Sequence, residues 1–218
     1  MGYFITFEGV EGCGKTTQIK LLSDFLLNRG LQPVLTREPG GCPIADKIRA
    51  ILLDAENKAL SPLAELMLYA AARAQHVADV ISPALIDEKI VLCDRFSDAT
   101  IAYQSFGRLI DRDTINALNF HACQGISPDL TILVDCDPNI GLERARKRIE
   151  ASSGPREERF ELEALEFHKR VRAGYLQLAA DEPDRFLIID GSDTIEKIFA
   201  LISAQVEKRI PEALRAFC

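Results

Sequence analysis

No run in this sequence of 218 residues approaches the roughly 18 consecutive apolar residues that a membrane-spanning helix needs. The first residues also lack a basic segment followed by a signal-type apolar stretch. A soluble, cytoplasmic protein without a membrane partner is expected. Positive charge is in short supply as well: 26 Lys and Arg stand against 33 Asp and Glu, a formal net charge of −7. That balance argues against non-specific nucleic-acid binding, which needs a basic field to displace counterions from phosphates. Any phosphate chemistry must rest on local groups of arginine and lysine. The six cysteines (Cys13, Cys42, Cys93, Cys123, Cys136 and Cys218) form no CxxC pair and no Cys/His set of zinc spacing. They read as reduced thiols, with Cys93 and Cys136 in or beside apolar runs and expected in a core. There is no internal repeat.

What is present is a chain with 47% apolar residues, long enough for one well-buried domain and too short for two. Short runs rich in β-branched or aromatic residues recur at Tyr3–Phe7, Pro33–Thr36, Ile90–Cys93, Leu130–Val134 and Phe186–Ile189. Longer stretches of helical periodicity separate them, the pattern of parallel strands joined by helical crossovers. Helices are predicted at Thr16–Asn28, closed by Gly30, at Ser61–Ile81 with Pro62 in the first turn, and at Pro138–Arg148, Leu162–Ala180 and Thr194–Lys208. The expected fold is α/β, a five-stranded parallel sheet flanked by helices. Residues Ile149–Glu158, IEASSGPREE, are polar and interrupted by Gly and Pro, with core-forming sequence on both sides. They read as a flap within one domain spanning 1–218, a lid of about 147–160, and not as a linker between domains.

The first predicted strand runs into Gly9-Val10-Glu11-Gly12-Cys13-Gly14-Lys15-Thr16, followed by Thr17 and a helix. This is GxxxxGK[ST] in the strand–loop–helix context that gives the motif its meaning. Glycines let successive backbone N–H groups curl around an anion, and the helix N-terminus adds to the field. Lys15 can then reach the β- and γ-phosphates of ATP, while Thr16 can coordinate Mg²⁺. The fold is thus narrowed to the P-loop nucleoside triphosphate hydrolase type. Asp94, at the end of a predicted strand, reads either as a second magnesium-side carboxylate or as a helix N-cap. A GTPase would carry DxxG and NKxD, and neither occurs: Asn57-Lys58 is followed by Ala-Leu. A compact kinase remains. Arg37, Arg73 and Arg95 fall near strand ends or in the long middle helix, where they either converge on a second phosphate-bearing ligand or make surface salt bridges.

The segments FEGVEGCGKTTQ (Phe7–Gln18), TREPGG (Thr36–Gly41), ELMLYAAARAQH (Glu65–His76), DRFSDATIAYQ (Asp94–Gln104), PDLTILVD (Pro128–Asp135), RARKR (Arg144–Arg148) and RFE (Arg159–Glu161) together resemble the thymidylate kinase family over essentially the whole chain. That resemblance implies transfer of the γ-phosphate of ATP to dTMP, giving dTDP and ADP for dTTP synthesis, with Mg²⁺. It assigns Arg37 and Arg95 to the dTMP phosphate, Tyr69 to stacking on thymine, and Arg73 to an exocyclic oxygen of the base. Thr100 and Gln104 would read the remaining edge, Tyr103 would crowd the sugar 2′ position, and Glu11 would contact the sugar or magnesium-bound water. Tyr69 and Arg73 share a helix face by their i, i+4 spacing, although ordinary helix packing also accounts for Tyr69.

The variable loop positions Val10, Glu11, Gly12 and Cys13 include no base. The resemblance therefore implies a bacterial-type enzyme whose catalytic cation comes from the lid, among Arg144, Arg146, Lys147, Arg148, Arg156 and Arg159. Arg159 fits the family motif best, with Arg156 as its companion; a solvated charged hinge is the competing reading. The lid is longer than is usual for the family, and Cys42-Pro43 follows TREPGG where a threonine is common, a change expected to have little effect. The alternatives are another nucleoside-monophosphate or deoxynucleoside kinase, or a non-catalytic ATP-binding module. Apolar positions in Thr114–Ala122 either pack inside or meet a second copy; the family's habit implies a homodimer and so favours the second. His76, His121 and His168 are expected to pack or to be solvated, without a catalytic role.

Overall fold

The computed structural model describes residues 2–151 and 159–211. Its strands are β1 (Tyr3–Glu8), β2 (Val34–Arg37), β3 (Ile90–Asp94), β4 (Leu130–Asp135) and β5 (Phe186–Asp190). They form one parallel sheet in the order β2-β3-β1-β4-β5, covered by helices on both faces. Each strand lies within a residue or so of its apolar run. β1 is buried along its whole length, and its side chains alternate between two cores. Tyr3, Ile5 and Phe7 join the larger cluster with Ile90, Leu92 and Leu130, while Phe4 faces Val77, Ile81, Val91 and Phe96 on the other side. Strands buried on both faces, as β1, β3 and β4 are, give continuous apolar runs; the edge strands β2 and β5 are more exposed and are readable from their short runs of β-branched and aromatic residues.

Nine α-helices are assigned among the described residues: α1 (Lys15–Leu27), α2 (Pro43–Leu53), α3 (Pro62–His76), α4 (Ser82–Ile86), α5 (Ser97–Thr100), α6 (Arg112–Cys123), α7 (Pro138–Glu150), α8 (Leu165–Asp181) and α9 (Ile195–Arg209). Local chemistry sets their ends. Gly30, at φ 77°, closes α1: Leu31 N–H reaches Leu26 C=O and Gly30 N–H reaches Leu27 C=O. Ser61 caps α3 by accepting from Ala64 N–H, with Pro62 in the first turn. Four helices that periodicity did not reveal are α2, α6 and the short α4 and α5; α6 is capped by Asp111, whose carboxylate accepts from Thr114 N–H. The single helix predicted over 61–81 is also different in detail. It ends at His76 and continues as a π-helical turn, Val77–Ile81; a second such turn, Ile101–Gly107, extends α5. Wide turns of this type are frequent at functional sites because they re-aim side chains, and the second carries Tyr103 and Gln104.

The register collects the site. Phe7 lies beside Asp94 across the β1–β3 pair, and Arg37 beside Asp94 across β2–β3. The carboxyl ends of three neighbouring strands therefore open onto one crevice, where the chain crosses from one side of β1 to the other.

Candidate active site

Gly9 to Gly14 form the turn between β1 and α1, and Lys15 and Thr16 open the helix. Its tightness is backbone against backbone: a Cβ on Gly12, at φ 67°, would sit 2.0 Å from Gly141 C=O in α7, and one on Gly141 would sit 2.2 Å from Glu11 C=O. Only glycine at both positions allows that approach. Val10 and Cys13 turn their side chains into the core, so what the loop offers the crevice is main chain. Lys15 folds over its mouth, with Nζ donating to the carbonyls of Gly9 and Val10, each at 2.9 Å. Thr16 and Thr17 are exposed at the start of α1. Thr16 Oγ1 donates to Asp94 Oδ2 at 3.0 Å, which brings together the two oxygens expected to face a cation.

Arg95 follows Asp94 with a left-handed backbone, φ 71°, an arrangement that costs a non-glycine residue about 1–2 kcal/mol. Two hydrogen bonds hold it: Arg95 N–H donates to Phe7 C=O at 3.0 Å, and the next amide, Phe96 N–H, to Glu8 Oε1 at 2.7 Å. The guanidinium then lies across the phosphate loop. Its Nη1 donates to Gly9 C=O and to the Tyr175 hydroxyl, its Nη2 to Glu11 Oε1, and the group sits 4.8 Å from the Tyr103 ring centroid. Tyr175 donates in turn to Glu8 Oε2 at 2.7 Å. Burial first, and the charge of Asp98 second, push Glu8 up to about 8. Glu11 goes the other way. Burial alone would raise it, but His168, Arg95 and the Tyr103 hydroxyl together hold it at about 2. His168 Nδ1 lies 3.2 Å from Glu11 Oε2, near enough for charge attraction though not aligned as a hydrogen bond.

The far end of the crevice holds the groups expected to read a base. Tyr69 and Arg73 project from the same face of α3, and Thr100 and Gln104 come from α5 and its π-helical extension. Arg73 is almost wholly buried, yet each of its nitrogens is matched: Nε donates to Glu38 Oε2, Nη1 to Asn119 Oδ1 and Nη2 to Phe96 C=O. Glu38 is itself bridged to His76, whose other ring nitrogen meets Thr36 Oγ1 at 2.6 Å. Gln104 Nε2 donates to Glu65 at 2.8 Å. The Thr100 hydroxyl is buried without a hydrogen-bond partner among the described residues. A cleft of about 1120 Å³ joins these residues to Glu11, Lys15, Thr16, Arg37, Asp94 and Arg95, large enough for two small ligands by the usual size of such sites.

The lid is arranged otherwise than the motif suggested. Arg159 is buried, with Nη2 2.7 Å from Glu65 Oε2 and Nε donating to Leu52 C=O, and it stacks over the Phe160 ring. It is not among the residues lining the cleft; from α7 and the strand of chain after the lid these are Arg146, Arg148, Ile149, Glu150, Phe160, Glu161 and Leu162. Arg144 donates to Gly191 C=O. Arg156 lies outside the described residues. Of the three histidines, His76 and His168 are fully buried beside carboxylates and His121 is exposed. Glu8, Glu38, Glu65, Asn119 and Tyr175 were not singled out in sequence. Glu8, Glu38 and Glu65 lie inside the distinctive FEGVEGCGKTTQ, TREPGG and ELMLYAAARAQH segments, a signal that could have drawn attention to them; Asn119 and Tyr175 carry none.

A family model described as thymidylate kinase matches residues 7–202 of the chain. The chain is 65% identical over 206 residues to the thymidylate kinase of Pelobacter propionicus, covering 94% of each. It is 60% identical over 212 residues to that of Geotalea uraniireducens, covering 97% of this chain and all of the relative. Among solved structures, the thymidylate kinase of Ehrlichia chaffeensis superposes with a TM-score of 0.73 at 34% identity, covering 94% of this chain and 98% of that one.

Proposed function

The chain belongs to the thymidylate kinase family, and on that premise we propose that the cleft is where ATP and dTMP meet and dTDP and ADP form. The enzyme is an ATP-using nucleoside-monophosphate kinase. In this reading Gly9–Thr17 cradle the ATP phosphates, Lys15 neutralises the β- and γ-phosphates, and Arg37 with Arg95 holds the dTMP phosphate opposite them. Arg95 is the group that stabilises charge developing between donor and acceptor, as phosphoryl transfer needs positioning and electrostatics and no covalent intermediate. Mg²⁺ fits the paired oxygens of Thr16 and Asp94, 3.0 Å apart, and when bound it would withdraw charge from the phosphate oxygens it touches. Tyr69 covers the thymine face, Arg73, Thr100 and Gln104 read its edge, and Tyr103 with Glu11 walls the sugar. We assign the lid to residues 147–160, with Arg148, and Arg146 just before it on α7, as the cations toward ATP and Arg159 as the lid's anchor.

One observation carries the proposal: a single cleft has an anion nest at one end and, at the other, shares its lining between Arg73, the Gln104 amide and a buried Thr100 hydroxyl that has no hydrogen-bond partner among the described residues. The two alternatives raised from sequence have no observation in their favour. Homodimerisation and a cytoplasmic location belong to the same proposal, the first supported by an exposed apolar stripe on α3 and α6. The test is ADP release from MgATP with dTMP, dUMP, dCMP and dGMP as acceptors. Release should depend on dTMP, and dCMP should be poorer by at least about a hundredfold, because its edge leaves buried polar groups unpaired. Equal rates with dTMP and dCMP would refute the base assignment; no acceptor dependence would refute the kinase.

A further inference from the structure

We infer that Glu65, which lies behind the base-reading groups, decides which end of the Gln104 amide faces the cleft and thereby sets the polarity with which the base is read. The inference rests on the reading of the cleft given above and deepens it.

Glu65 is fully buried on α3. Its carboxylate accepts from Gln104 Nε2 at 2.8 Å and from Arg108 Nε and Nη2 at 3.2 and 3.1 Å, with Arg159 Nη2 2.7 Å away. A carboxylate flanked by two guanidinium groups has only acceptors to offer. A glutamine amide has a donor end and an acceptor end of nearly the same shape, so water or a hydroxyl would tolerate either orientation. Glu65 does not. Turning the Gln104 carbonyl toward it would set two buried acceptors against each other, at the full cost of leaving both unsatisfied. Gln104 Nε2 is therefore committed to Glu65, which leaves Oε1 for the cleft that Gln104 lines.

The consequence is a fixed pair of polarities. Arg73 can only donate, whatever surrounds it; Gln104 presents an acceptor because Glu65 requires it. Thymine offers a donor at N3 and an acceptor at O4, which match. Cytosine offers an acceptor at N3 and a donor at the 4-amino group, which are both reversed. Uracil shares the thymine edge, so Glu65 bears on thymine against cytosine and not on the 5-methyl group.

The test is kcat/KM for dTMP, dCMP and dUMP in four enzymes: unsubstituted, Glu65→Gln, Gln104→Leu and the double variant. The unsubstituted enzyme should prefer dTMP to dCMP; if it does not, the reading of the cleft fails and Glu65 is not at issue. Glu65→Gln should lower that preference roughly three- to tenfold, the worth of one hydrogen bond, and leave the dTMP to dUMP ratio unchanged. In the Gln104→Leu background it should lower the preference no further, the non-additivity of groups that act through one another. A uniform loss with all three acceptors, or an equal drop in the Gln104→Leu background, overturns the inference and makes Glu65 a lid anchor only. Should Glu65→Gln not fold, exchange of the Gln104 side-chain amide protons in the dTMP-bound unsubstituted enzyme decides it. Protection supports the inference, and exchange at the rate of a solvent-exposed glutamine defeats it.

Discussion

Arg95 is held from three directions. Phe7 and Glu8 fix its backbone, Tyr175 and Gly9 fix one guanidinium nitrogen, and Glu11 fixes the other. Pre-ordering of this kind removes the reorganisation that a flexible arginine would undergo as charge builds in the transition state. Arg95→Ala is accordingly expected to lower kcat by about a hundred- to a thousandfold, as loss of a single charge-stabilising donor does elsewhere. Its affinity for ATP, measured by equilibrium titration without dTMP, should change little, since the loop proposed to cradle ATP offers main chain to the cleft. Near-normal turnover, or loss of ATP binding in parallel, would show that Arg95 has a different task.

Helix α3 shows how one element serves two surfaces. Its inward face carries Tyr69 and Arg73, which line the end of the cleft proposed to read the base, and Glu65 and His76, which support that end. The outward face carries Leu63 and Met67, 49% and 53% exposed, one turn apart; on neighbouring α6, Phe120 is 75% exposed. Such an apolar stripe across two adjacent helices suits an isologous contact with a second copy, in which each subunit presents the same patch. Sedimentation velocity at micromolar protein is expected to report a dimer, and Met67→Glu to shift it to monomer by burying an unpaired charge at the centre of the contact. A monomer before substitution would dispose of this assignment.

For the molecule as a whole, the two buried glutamates at the head of the phosphate loop act in opposite pH windows. Glu11 is depressed in the folded state to about 2 from an ordinary 4.5. Folding is then favoured by its ionised form above the ordinary value, and that contribution disappears as pH falls from near 4.5 toward 2. Its size is about 3 kcal/mol by the conversion of pKa shift to free energy. Glu8, raised to about 8, contributes below its ordinary value, and its contribution is lost as pH rises toward 8. Urea unfolding at pH 5 and pH 2 should therefore show a stability loss smaller by about 3 kcal/mol in Glu11→Gln than in the unsubstituted protein. Equal losses would mean that the Arg95, Tyr103 and His168 cluster does not hold Glu11 ionised.

The sequence alone determined what depends on neighbours along the chain. The phosphate loop was legible because its glycines, Lys15 and Thr16 act within eight residues, and the strands through short β-branched and aromatic runs, continuous where β1, β3 and β4 are buried on both faces. Helices α1, α3 and α9 were legible through Gly30, Ser61 with Pro62, and Thr194, which work through backbone groups three or four positions away. The strand order, the π-helical turn that aims Tyr103 and Gln104, and the work of Glu8, Glu38 and Glu65 were decided only in the tertiary structure. Their partners are remote: Tyr175 reaches Glu8 across 167 positions, and Gln104 reaches Glu65 across 39. The lid arginines mark the boundary most clearly. Composition put six basic residues in one stretch and could not rank them, because a guanidinium is the same donor wherever it lies. What separates Arg159 from Arg146 and Arg148 is a buried carboxylate on a distant helix, within reach of the first and not of the others.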